Sequence, residues 1–145
     1  MSSQLTSNAQ RNLEALAESL TASADVLHAR LLQAMNQHAS ASEQPAITRE
    51  AAQALFEAEV ILRQRAMALY LEAAILAGGG LVEMLDKLLD VTAKAQEKIG
   101  KIDKIMDLIA LVGELASMAA AVATGAPEKL VAPYQKLKQR VESLS

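Results

Sequence analysis

The sequence predicts an all-α fold: an elongated antiparallel bundle of about four helices, three long and one short and C-terminal, with coiled-coil-like packing. Three observations carry this expectation. Apolar residues recur at steps of three and four, the helical period, and β-branched residues never alternate with polar ones over a useful length. Alanine and leucine, both good helix formers, dominate a composition that is 52% hydrophobic but only 2% aromatic, so the core must be aliphatic. Glycine and proline are confined to a few places, the sharpest being Gly78-Gly79-Gly80, where an apolar helix stops and an equally apolar one starts. A single domain over 1–145 is expected, since a chain of 145 residues can bury about two thirds of its unfolded surface.

The first helix is placed at about 7–39. Ser7-Asn8-Ala9-Gln10 has capping-box spacing, and residues 1–6 are expected to fray. Its apolar stripe, Leu13, Leu16, Leu20, Ala24, Leu27, Leu31 and Met35, repeats every eleven residues, which suits a nearly straight rod with one packed face. Small polar residues and Pro45 then make Ser40–Ala46 a loop, and Thr48 is the N-cap of a second helix over about 48–77. That helix carries two stripes. One is Ala51, Leu55, Ala58, Leu62, Ala66, Leu69, Ala73 and Leu76; the other is Phe56, Val60, Met67, Tyr70 and Ala74. Two apolar stripes imply two buried faces and a central place between the first and third helices.

The three glycines read as a C-cap at positive φ followed by a tight reversal that makes the flanking helices antiparallel neighbours. After them a 3-4 repeat keeps phase from Leu81 to Ala120, which favours one helix over 81–123. Gly100 is its weak point, with Asp103 available to cap a separate segment. Thr124-Gly125-Ala126-Pro127 ends that helix. A short amphipathic one follows at about 128–144, with Leu130, Tyr134, Leu137, Val141 and Leu144 inward and Pro133 in its first turn. It is the natural cover for 110–123.

Composition excludes much chemistry. There is no cysteine, hence no disulfide or thiolate. The N-terminal residues lack a basic segment followed by an apolar core, so a cytoplasmic location without a cleavable signal is expected, with signal-independent export left open. The net charge is −3, and neither half is basic enough for nucleic acid. His28 and His38 are ten residues apart, about 80° from sharing a helix face, so they read as solvated side chains and not as metal ligands. Glu57 and Glu59 point to different sides of a helix. Neither lysine nor Ser/Thr follows the glycines as a phosphate loop would require. No enzyme activity, cofactor, metal or small-molecule substrate is expected.

What remains is surface. The leading expectation is a non-enzymatic interaction protein that binds another helical protein, or a homo-oligomer, through alanine-rich helix faces, with Gly113, Ala116 and Ala120 at the contact. A second reading, of a different class, is a lipid-surface-active protein, either an α-helical pore-forming subunit or a lipid-granule coat. Its inserting tip would be Leu76, Gly78, Gly79, Gly80 and Leu81, with Lys129, Lys136, Lys138 and Arg140 facing anionic headgroups. The charge-poor stretches Ala66–Leu85 and Ile105–Pro127 motivate that reading. A third, an immunity or chaperone protein for a toxin or effector, differs from the first only in its partner.

Overall fold

The computed structural model describes residues 2–40 and 47–144, with side chains described for 7–35 and 47–144. Every regular element among them is helical: α1 (Ser2–Ser40), α2 (Arg49–Leu76), a single 3₁₀ turn (Val82–Met84), α3 (Leu85–Ile99), α4 (Ile105–Ala123) and α5 (Pro127–Ser143). The bundle thus has five α-helices where about four were expected. Residues 41–46 of the expected loop lie outside the described residues. α1 starts at Ser2, so Ser7 is an interior position and not a cap. Thr48 does cap α2, its hydroxyl accepting from the amide of Ala51 at 3.1 Å.

The expected helix 81–123 is broken at residues 100–104, and the break has a distant cause. Arg30 of α1 donates from its guanidinium to the carbonyl of Ile99 at 2.9 Å and to that of Ile102. The Ile99 carbonyl is one that the end of α3 leaves without an intrahelical partner, and that of Ile102 lies in the turn beyond it. Lys101 and Ile102 both donate to the Lys98 carbonyl, closing the turn. Lys104, in extended backbone, then starts α4 without a side-chain cap, so Asp103 does not take that role. The apolar phase survives because both sides of the turn are buried: Ile99 ends α3 in the core and Ile102 covers the turn.

The turn reverses the chain and rearranges the neighbours. α3 packs on α1, α4 packs on α2, and α2 and α3 barely touch although the glycine turn joins them. Pairing of the second helix with residues 81–109 is therefore replaced by a ring of α1, α2, α4 and α3, with α5 lying against α3 and α4. The α2–α3 and α4–α5 turns meet at one end. A Cβ on Gly79 would lie 3.8 Å from the Gly125 carbonyl, and one on Gly80 would lie 3.0 Å from the Pro127 ring. Among the described residues only Gly125 has positive φ, at 71°. None of Gly78, Gly79 and Gly80 uses left-handed backbone, and of the three Gly80 is the one held in close approach, against the Pro127 ring. α1, α3 and α5 run one way, α2 and α4 the other.

One core runs through all five helices, with Leu13, Leu16, Leu20 and Leu27 of α1, Leu55, Leu62 and Leu69 of α2, and Leu130 and Leu137 of α5 at or below 1% exposure. Fully burying one such leucine contributes about 1.5–3 kcal/mol. Pro127, not Pro133, occupies the first turn of α5, and Pro133 lies inside the helix. Its missing amide leaves the Lys129 carbonyl without an i+4 donor.

Candidate interaction face

α5 lies over the α3–α4 pair, and among the described residues no helix lies over the corresponding side of α1–α2. The consequence falls on α2. Of the stripe expected to be a second buried face, Phe56, Val60, Met67, Tyr70 and Ala74 are all exposed, and Ile61, Leu71 and Ile75 are exposed beside them. Ile75 is 79% accessible, Leu71 75% and Met67 67%. The two stripes were legible; that only one would be buried was not. α2 is central in having two neighbours, α1 and α4, both of which it meets through the other stripe.

The seven large apolar side chains from Phe56 to Ile75 expose on the order of 600–800 Å² together, more than the largest patch on a typical monomer and close to one partner's share of a standard interface. Between Ala66 and Ile75 the only charge is Glu72. Beside Met67 and Tyr70 an open groove of about 490 Å³ runs between α1 and α2, floored by Ala17, Thr21, Ala22 and Ala66 and edged by Glu18, Asp25 and Arg63.

A polar network fixes α1 against α2 next to that groove. Glu59, 6% exposed, lies 2.9 Å from His28 Nδ1 through Oε1 and accepts from Arg63 Nε at 3.0 Å through Oε2. Arg63 in turn reaches Asp25 at 2.8 Å. Hydrogen bonding to Asp25 and then to Glu59 raises the Arg63 pKa above its ordinary value, so the guanidinium stays charged. His28 is thus a cross-helix partner and not merely solvated. Its i+3 relation to Asp25 could be read from the sequence; its pairing with a glutamate 31 residues away could not. Among the described residues, no group of three or more His, Cys, Asp or Glu side chains stands close enough to hold a metal ion.

The residues expected to form sites are dispersed. Leu76 and Leu81 are buried, so they belong to the core and form no exposed tip, while Gly78, Gly79 and Gly80 are exposed in the turn between them. Gly113 is exposed and opens into a groove of about 470 Å³ shared with Pro133 and Lys136, whereas Ala116 and Ala120 are half-buried on α4. Lys129, Lys136 and Lys138 are exposed on α5. Arg140 is instead held by Glu114 of α4 through contacts of 3.0 to 3.3 Å, and that hydrogen bonding raises its pKa. α4 has the length and mean hydropathy, 19 residues and 1.9, to cross a membrane, but it packs between α2 and α5 with 44% of that window buried.

Comparison with protein-family models, with curated proteins and with solved structures finds no match.

Proposed function

We propose that the chain is a non-enzymatic docking protein whose outer α2 face binds an apolar helical surface of a protein partner. One observation carries the reading: seven large apolar side chains stand exposed along one helix that is itself anchored on both flanks. A bare apolar face of this size carries a solubility cost, and exposed patches of this size mark binding sites. Rigid anchoring by Glu59, His28 and Arg63 limits the ordering cost of binding. A chaperone or immunity role would use the same face and differ only in the partner.

The lipid-surface reading draws less support. The α2 face is edged by Glu57 and Glu72 as well as Arg65, not by a row of lysines, and an anionic bilayer would repel those acids. The α4 segment would have to leave the bundle to insert.

A photo-crosslinking residue at position 71, in cells producing the protein, tests the proposal, with position 94 on exposed α3 as the control. A discrete protein adduct from 71 and none from 94 is the expected result. Equal labelling from both, or only lipid adducts from 71, would remove the docking face.

A further inference from the structure

Resting on that docking face, we propose that its occupant is a second copy of this chain, with the two α2 helices packed antiparallel about a two-fold axis near residue 68. In such a pair, residues on the same edge of the helix face each other when they are equidistant from the axis. Three pairs on α2 satisfy this condition around a centre that is common to within half a residue. Arg65 and Glu72 have their midpoint at 68.5, Met67 and Tyr70 also at 68.5, and Ile61 and Ile75 at 68.

The edges agree as well. At about 100° per residue, Arg65 and Glu72 lie within about 20° of each other on the side nearer α4, with Ile61 and Ile75 just inside them. Met67 and Tyr70 lie on the opposite side, toward α1, where both line the groove. A two-fold related copy therefore sets Arg65 against the second copy's Glu72 twice, and the Met67 sulfur against the second copy's Tyr70 ring twice, with Leu71 between them near the axis. Arg65 and Glu72 are both exposed, and neither forms an ion pair among the described residues. At roughly their levels α4 carries Ala116 and Ala120, small residues that leave a second helix room to approach. Five of the seven exposed large apolar residues, Ile61, Met67, Tyr70, Leu71 and Ile75, fall within the stretch where the two α2 helices overlap, and they supply most of the roughly 800 Å² per partner of a standard interface.

Sedimentation equilibrium of the purified chain, from micromolar to submillimolar concentration, tests this directly. The expected mass is about twice 15.4 kDa, and Leu71→Asp returns the chain to one copy with unchanged helix content. Arg65→Glu alone and Glu72→Arg alone each weaken the dimer about tenfold, because two attractive pairs become repulsive. Mixing the two variants restores wild-type affinity, since each chain then supplies the charge the other lacks; in a parallel pair, with 65 facing 65 and 72 facing 72, neither variant alone weakens the dimer and the mixture binds more tightly than the wild type.

A single-copy mass at every concentration overturns the proposal, as does a dimer indifferent to these three substitutions. Either result combined with a crosslink from position 71 to a different protein removes only the second copy as occupant. No adduct from position 71 removes the docking face itself.

Discussion

The α3–α4 pair and the α1–α2 pair are both antiparallel, yet α5 covers one and, among the described residues, no helix covers the other. α4 places Leu111, Leu115 and Val122 in the core, and α5 adds Leu130, Leu137 and Val141 over it. α2 has as many apolar residues on its outer face, and they meet water. The difference teaches where stability ends and recognition begins. A fifth helix of seventeen residues is enough to close one side of a four-helix ring, and the side left open carries side chains that the fold itself does not use.

The largest expected effect separates the two sides. Leu137→Ala should lower unfolding free energy by about 2–5 kcal/mol, as expected for a fully buried leucine. Leu71→Ala, at a concentration that keeps the chain single, should change it by less than about 0.5 kcal/mol. Comparable losses in urea titrations would break the comparison by showing that the outer face of α2 supports the monomer.

The polar ties of the two pairs should differ in the same sense. Glu59→Gln leaves His28 and Arg63 without their buried carboxylate and should cost about 1–2 kcal/mol, whereas Glu114→Gln weakens a more accessible pair and should cost less, under about 1 kcal/mol. Equal costs would mean that the α1–α2 anchor is no firmer than the α4–α5 one. Arg30→Met strips two carbonyls of their charged donor and should cost about 2 kcal/mol, with hydrogen-exchange protection falling at residues 101–105 before it falls elsewhere. If protection there is unchanged, the turn holds without α1. The smallest effect has the opposite sign. Thr92, fully buried on α3, has the one buried side-chain oxygen or nitrogen among the described residues without a hydrogen-bond partner, so Thr92→Val should gain about 1 kcal/mol in thermal unfolding.

Much of the bundle was legible because burial leaves a period in the sequence. The stripe Leu13, Leu16, Leu20, Ala24, Leu27 and Leu31 is buried as its spacing requires, and Thr48 and Gly125 mark helix ends by chemistry that acts within four residues. At the 100–104 break the sequence marked the place, Gly100, which is the C-cap of α3, but not the reversal. Ile99 and Ile102 keep the repeat in phase across a reversal, and the donor that holds the turn lies about seventy residues upstream at Arg30. The candidate face was half legible. The second stripe of α2 showed in the periodicity, but a stripe that packs on a neighbour and one that awaits a partner have the same spacing.

The sequence by itself determined that this protein is helical, where Thr48 starts one helix and Gly125 ends another, and that its core is aliphatic, because propensity, capping and amphipathic period all act through neighbours one or two turns away. Only the tertiary structure decided which helices pair, that Leu76 and Leu81 face inward, that Glu59 meets His28, and that the bare apolar surface belongs to α2 and not to α4. Those outcomes depend on which elements compete for the same cover, and α5, joined to α4 by a short turn, packs on the α3–α4 side.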